Sequence, residues 1–170
     1  MQSFKIIKPI HILTPYVRYY WILEDGADVS VSERTLPTGC IQLVFHRGKR
    51  LLLVGKKESQ PQAFICGQCL NFSDVMSAGK IEMITVVFQP YAARAILQLP
   101  LKFFYGELIA VDAIEDLELS ILSRKVIEAD DHETCIRLIE QFLIHRLYRF
   151  EGYEYNLKRI SAVLHQINEQ

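Results

Sequence analysis

The sequence predicts an α+β domain in which an antiparallel β-barrel or sandwich is followed by a set of helices. Up to about residue 88, short runs of β-branched and aromatic residues alternate with turn signals, as in about seven or eight short strands. After Pro90, apolar residues recur at helical spacing, as in about three or four helices. Because the strands come first and the helices second, the pattern favours α+β over an alternating α/β arrangement.

Residues 81–100 join the two parts of the predicted domain. The two faces of the strand predicted here carry Ile81, Met83, Thr85 and Val87 on one side and Ile84, Val86 and Phe88 on the other. Since both faces are largely apolar, we expect a central strand that is covered on both sides. Pro90 has no N–H for a sheet and suits the first turn of a helix, so we expect a short helix that Pro100 ends.

Earlier segments predict further strands. Residues 16–23 contain three tyrosines and the only tryptophan, which is typical of a strand that lines a core or a pocket. Residues 41–46 alternate as a strand does, and the turn at Arg47–Gly48–Lys49 predicts a hairpin to a second strand at residues 51–54. A short strand at residues 63–66 follows a polar loop.

Two longer helices are predicted in the second half of the chain. Asp112 begins a capping-box pattern, which predicts a helix to about residue 128. Asp130 begins a second such pattern before the most periodic segment, residues 132–150. The apolar stripe that we expect to face the domain consists of Ile136, Ile139, Phe142, Leu143, Leu147 and Phe150.

Composition limits the classes of function. The chain has 170 residues, 50% of them hydrophobic, which suits one globular domain. Its formal net charge of −1 does not predict a nucleic-acid-binding surface. No apolar run approaches the roughly 18 residues of a membrane span, and the first residues do not resemble a signal peptide. With four cysteines and no secretion signal, we expect reduced thiols and a cytoplasmic location.

Few residues carry a catalytic or metal-binding pattern. Cys66–Gly67–Gln68–Cys69 is a C-x-x-C motif, but no second pair of ligands at matching spacing accompanies it. The five histidines are scattered singly, and no nucleophile-elbow, phosphate-binding or dinucleotide-binding motif occurs. We therefore predict no enzymatic activity, no metal site and no cofactor.

The aromatic segment supplies the candidate binding residues. Tyr20 and Trp21 belong either to the packed core or to the wall of a pocket for an apolar or planar small molecule. In the second case Gln42, His46 or Gln68 would supply directed polar contacts. The two interpretations are compatible, because one face of a ring can pack while the other lines a pocket.

Three motifs follow one another along the chain: Tyr20–Trp21, the turn Leu36–Pro37–Thr38–Gly39 before an apolar strand, and Phe88–Gln89–Pro90 before a short helix. In this order they resemble the N-terminal domain of a subgroup of AraC-type bacterial transcription regulators, over about residues 13–150. The resemblance implies a cupin-like β-barrel or sandwich that senses a small-molecule effector, with helices that support dimerisation.

The same resemblance implies a division of the chain. Residues 1–150 would be the sensing and dimerisation domain, and residues 151–170 a helix that connects to a DNA-binding region of two helix-turn-helix units, a region that this sequence does not contain. The chain is then expected not to bind DNA by itself. Two alternatives stay open: a stand-alone cupin-like small-molecule-binding protein or enzyme, and an interaction module without a ligand.

Ile144 and Tyr148 are candidates for a homodimer contact. At 100° per residue they fall opposite the apolar stripe of the last helix, among polar residues. They are four residues apart, so their side chains are neighbours on one face. A twofold contact would use this patch from both chains.

Overall fold

A computed structural model describes residues 2–26, 32–35, 39–68, 71–77, 79–106 and 108–149. Several sequence predictions fall outside these residues. Three of the turn residues, Leu36, Pro37 and Thr38, are among them, and so is Cys69, the second cysteine of the C-x-x-C motif. The others are Phe150, which ends the apolar stripe of the helix predicted at residues 132–150, and the connecting helix predicted at residues 151–170.

The described residues form two antiparallel sheets, of six and four strands. The strands are β1 Gln2–Ile7, β2 Val17–Asp25, β3 Ser32–Thr35, β4 Gln42–His46, β5 Leu52–Leu53, β6 Glu58–Ser59, β7 Ala63–Cys66, β8 Ser73–Met76, β9 Ile81–Phe88 and β10 Leu108–Ala110. The larger sheet has the order β1-β2-β9-β4-β7-β10, and the smaller has the order β3-β8-β5-β6. The sheets do not close into a barrel within the described residues, so of the two predicted β architectures the structure has the open, two-sheet form.

Within the described part of the chain, three α-helices follow the strand β9 and complete the predicted α+β class. They are α1 Ala93–Leu97, α2 Leu117–Glu128 and α3 His132–Tyr148, and short 3-10 turns lie at His11–Leu13, Leu101–Phe104 and Val111–Ala113. The short helix after Pro90 is confirmed, although it ends at Leu97 because Gln98 adopts a left-handed conformation with φ of 57°.

The starts of α2 and α3 correct the two predicted caps. Asp116, not Asp112, accepts a hydrogen bond from the Leu119 N–H at 3.0 Å. Asp131, not Asp130, accepts one from the Thr134 N–H at 2.7 Å. An N-cap needs an extended backbone just before the first helical turn. Acidic residues are closely spaced at both starts, Asp112, Glu115 and Asp116 for α2 and Asp130 and Asp131 for α3, and the sequence spacing alone does not show which one caps the helix.

The central strand β9 has the two apolar faces that its alternation predicts. It pairs with β2 on one side and β4 on the other. Ile84, Val86 and Phe88 lie in the main core, between the larger sheet and the helices. Ile81 and Met83 lie in a second core, between the two sheets.

The sequence predicts a mostly buried interior that contains Trp21, Ile41, Leu43, Phe45, Val86 and Phe88, and the main core contains five of these six residues. Ile41, Leu43, Phe45, Val86 and Phe88 are each at most 5% exposed. Trp21 differs from them, since it is only partly buried and packs against the second core. Its position follows from the strand period: Tyr20 and Ile22 point to the main core, so Trp21 between them points to the smaller sheet.

The predicted hairpin between residues 41–46 and 51–54 is wrong. β4 pairs with β7 and β9, whereas β5 pairs with β6 and β8 in the other sheet. The Arg47 and Gly48 N–H groups both donate to the Glu82 carbonyl, at 2.7 and 3.1 Å, so the turn runs along β9 and does not fold back on β4. Glycine is required at position 48, because a Cβ there would lie 2.7 Å from the Glu82 nitrogen.

A buried ion pair joins the two long helices. The Arg146 side chain is 8% exposed, and its Nη2 donates to both carboxylate oxygens of Asp116, at 2.6 and 2.7 Å. Arg146 Nε also lies 3.0 Å from Glu118 Oε2, without the alignment of a hydrogen bond. Asp116 is therefore both the cap of α2 and the partner of a buried guanidinium.

Phe88 tests the central strand. Replacing Phe88 with Ala should lower the free energy of unfolding by about 3–5 kcal/mol, because the side chain is fully buried in the main core. Urea denaturation measures the change. Phe4→Ala, the same truncation at a side chain that is 59% exposed on the edge strand, should cost much less. Equal losses for the two variants would contradict the packing described here.

Asp116 tests the buried pair. Asp116→Ala should lower the free energy of unfolding by about 3 kcal/mol, because it removes a cap and leaves Arg146 buried without that partner. Asp131→Ala is the matched control, since it removes the cap of α3 with no buried cation behind it. Denaturation curves that give the two variants the same loss would show that the Arg146 pair does not stabilise the helices.

Candidate functional site

A cavity of about 540 Å³ lies between the two sheets. This volume is in the range of pockets that bind small molecules. The larger sheet contributes Trp21, Gln42, Val44, Phe64, Cys66 and Met83, and the smaller sheet and its loops contribute Thr35, Leu51, Leu53, Phe72, Ser73 and Asp74. Apolar and aromatic side chains thus form most of the wall, with a few polar groups among them.

Strand alternation decides which residues of β4 reach this side of the sheet. Leu43 and Phe45 point to the main core, so Gln42, Val44 and His46 point to the smaller sheet. Gln42 and Val44 line the cavity. His46 lies beyond them, fully buried, with its ring centre 5.8 Å from that of Phe64.

Gln60 connects His46 to the cavity. Gln60 lines the cavity and is 8% exposed. Its Oε1 lies 2.9 Å from His46 Nε2, and because an amide oxygen only accepts, the histidine nitrogen carries the proton. Burial lowers the pKa of His46 from 6.5 to about 4, so the ring is neutral at physiological pH.

Two thiols also line the cavity. Cys40 is buried and Cys66 is partly buried, and the structure shows no disulfide among the described cysteines. Arg18 Nη1 lies 3.7 Å from Cys40 Sγ, and Cys66 Sγ lies 3.7 Å from the Gly67 carbonyl oxygen. Gly67 packs so closely on the Phe104 backbone that a Cβ there would lie 2.6 Å from the Phe104 carbonyl carbon.

The charged groups at the cavity are at its rim. Asp74 accepts two hydrogen bonds from Arg34, at 2.8 and 3.2 Å, and Arg34 holds the pKa of Asp74 below its usual value. The Arg34 guanidinium also lies 3.9 Å from the centre of the Phe72 ring. Lys56 is exposed. The interior of the cavity is therefore lined by neutral groups.

The structure places two of the five predicted pocket residues in the cavity wall, Trp21 and Gln42. His46 stands behind the wall, and Gln68 lies at the rim, where its Nε2 lies 3.3 Å from the carbonyl oxygen of the cavity residue Gly39. Tyr20 is fully buried on the opposite face of the sheet. Burial and the nearby Glu140 carboxylate raise the pKa of the Tyr20 phenol.

The sequence interpretation missed Gln60, Phe64 and Phe72. Phe64 lies in a strand that was predicted, so its alternation with Ile65 is the one signal that could have placed it. Gln60 lies in the polar loop that the sequence predicts before residues 63–66, and Phe72 lies in a second predicted loop, residues 71–80. Their positions depend on how the smaller sheet packs against the larger, and that arrangement has no local sequence signal.

The two residues proposed for a dimer contact differ in exposure. Tyr148 is 70% exposed. Ile144 is partly buried and packs against the main core, so it is not on the far side of α3 as predicted. Glu140 also turns inward, because its Oε1 accepts a hydrogen bond from the Ile10 N–H at 3.0 Å. The N-terminal segment around Ile10 therefore contacts α3 beside this face.

A second polar cluster lies where α3 meets the sheet. His132 Nε2 is 3.1 Å from Glu82 Oε1 and 3.7 Å from Glu24 Oε1. Two carboxylates and an imidazole could ligate a metal ion. Arg47 Nη1, however, lies 2.5 Å from the same Glu82 oxygen, and its other terminal nitrogen donates to the Ala129 carbonyl. The Arg47 guanidinium already compensates the charge of Glu82. The cluster is therefore better explained as a set of polar contacts that hold the helices against β9.

Comparison with known proteins identifies a family. A family model described as a domain of unknown function (DUF6597) matches residues 5–110, more than half of the chain, and the chain belongs to this family. The match contains the whole cavity wall and ends before α2 and α3. No curated protein matches the chain. Among the described residues, no helix is long and apolar enough to cross a membrane.

His46 makes stability depend on pH. The unfolded chain protonates this residue near pH 6.5, whereas the folded chain resists protonation until about pH 4. The unfolded state thus binds more protons between these values, so stability falls as the pH drops from 6.5 to 4. The His46 contribution to this loss is about 3 kcal/mol.

Urea denaturation at several pH values measures this contribution as the difference between wild type and His46→Gln. The variant should lose less stability between pH 6.5 and 4 than the wild type does. His11→Gln, at an exposed histidine, is the control and should follow the wild type. If His46→Gln shows the same pH dependence as the wild type, His46 is not buried in its neutral form.

Proposed function

We propose that this chain is the effector-sensing and dimerisation module of an AraC-type transcription regulator. The observation that carries the sensing role is the cavity between the two sheets, with its aromatic and aliphatic wall and few polar groups. The order of the motifs at residues 20–21, 36–39 and 88–90 supports the family of regulators.

The rest of the chain is compatible with this role. The net charge is −1, so the module is expected to reach DNA only through a separate DNA-binding region of the regulator. The helices α2 and α3 pack on each other and on the main core. They are thus on the opposite side of the larger sheet from the cavity. A bound effector would contact the two sheets, and the helices would be available for assembly.

Ligand binding is measured through Trp21. It lines the cavity and is the only tryptophan of the chain, so its emission reports on cavity occupancy. We expect 8-anilinonaphthalene-1-sulfonate to accept energy from Trp21 and to show saturable binding. Cys66→Phe should weaken this binding at least tenfold, because the added ring occupies the cavity.

The control for this experiment is Leu117→Phe, which adds a ring at a position that is 74% exposed on α2. It should bind the dye as the wild type does. Dye binding that is the same in Cys66→Phe and wild type would place the dye elsewhere and remove the support for a sensing cavity. Turnover of a bound compound would favour the enzyme alternative.

Dimerisation is measured by sedimentation. Tyr148 is the exposed member of the predicted patch, so Tyr148→Glu should shift a wild-type dimer to monomer without changing the melting temperature. Tyr105→Glu is the control, since Tyr105 is 71% exposed and forms a β-bridge with Gln68, outside α3. A wild-type chain that stays monomeric at all concentrations, or a Tyr148→Glu dimer of unchanged affinity, would contradict the contact.

A further inference from the structure

Gln60 presents an incompletely satisfied amide in the wall of the cavity. The residue is 8% exposed, and its Oε1 is engaged by His46 Nε2 at 2.9 Å. Within the described part of the chain, the structure gives its amide nitrogen no hydrogen-bond partner. This nitrogen is not among the sealed, unpartnered side-chain atoms of the described residues, so it reaches the cavity, where a ligand can supply an acceptor.

The position of this amide is fixed by its surroundings. The Gln60 N–H donates to the Leu51 carbonyl at 2.7 Å, which holds the backbone. At the other end His46 is fully buried beside Phe64, so it holds the amide oxygen away from the cavity. The amide nitrogen is consequently the end that remains for a ligand.

The remaining wall limits what such a ligand can be. Trp21 and Phe64 offer aromatic surfaces, and Val44, Leu53 and Met83 offer aliphatic ones. The charged pair Arg34–Asp74 lies at the rim and is already mutually compensated. Thr35, Gln42 and Ser73 add further neutral polar groups to the wall. A flat, mostly apolar molecule with at least one hydrogen-bond acceptor suits these contacts.

We propose that Gln60 is the specificity-determining residue of this cavity, and that its amide donates a hydrogen bond to a carbonyl-type oxygen on a flat, largely apolar ligand. His46 is the positioning residue that orients the amide. This inference rests on the proposed function, because it assumes that the cavity receives a small molecule. A ligand of the same shape without the oxygen leaves the amide unsatisfied and binds less tightly.

The test uses two probes of nearly equal shape, 2-acetylnaphthalene and 2-isopropenylnaphthalene, which differ by a carbonyl oxygen in place of a methylene. Equilibrium dialysis against the full chain gives the affinity of each. We expect the wild type to prefer the ketone about tenfold. Gln60→Glu keeps an acceptor for His46 but replaces the donor, and it should abolish this preference for the ketone over the hydrocarbon.

Two further variants separate the roles. His46→Phe should reduce the preference for the ketone while the hydrocarbon affinity stays within about twofold. If His46 only stabilised the fold, the variant would weaken the binding of both probes equally. Gln60→Leu should also remove the preference, and it covers the case in which the acidic variant does not fold. Gln89→Leu, the same change outside the cavity, should keep it.

The outcomes distinguish the two proposals. If neither naphthalene binds the wild type, the sensing cavity and the role of Gln60 are both overturned. If both bind but the wild type shows no preference for the ketone, or the Gln60 variants retain it, the role of Gln60 alone is overturned and the cavity stands.

Discussion

The structure depends on the requirement that the strand β9, Ile81–Phe88, bury two apolar faces at once. If one face of the sheet were exposed to solvent, either Met83 or Phe88 would be exposed with it, because these two side chains lie on opposite faces of the strand. The helices α1 to α3 cover the first face, and the four-stranded sheet covers the second. The helices that cover the first face follow β9 in the chain, and the strands of the smaller sheet precede it.

The two covers are unequal, and the candidate site results from the difference. The helix side has a large core whose members, such as Leu43, Phe88 and Leu143, are fully buried. The sheet side has only a small apolar cluster and a cavity of about 540 Å³ beside it. Close packing on the helix side can stabilise the fold while the other side stays open to a ligand. The family match covers the cavity side and ends before α2 and α3, which is consistent with this division.

The sequence predicted the features that depend on local periodicity. The alternation in β9, the strand containing Trp21 and the helices after Pro90 all follow from side-chain period and turn residues. Tyr20 was grouped with Trp21 because they are neighbours in sequence, yet adjacent strand residues face opposite sides. Gln60 was not among the predicted pocket residues. Its contact with His46 depends on how the two sheets pack against each other, which no local sequence pattern encodes. The hairpin after β4 failed for a related reason: the turn bonds to β9, which is far away in sequence.

The most direct measurement is a crystal structure of the chain grown with 2-acetyl-6-bromonaphthalene, in which anomalous scattering locates the bromine. We expect a single bromine position between the two sheets, beside Trp21 and Phe64, with the ketone oxygen at the amide of Gln60. A bromine on the helix side of the larger sheet, or sheets that pack together with no space between them, would contradict it.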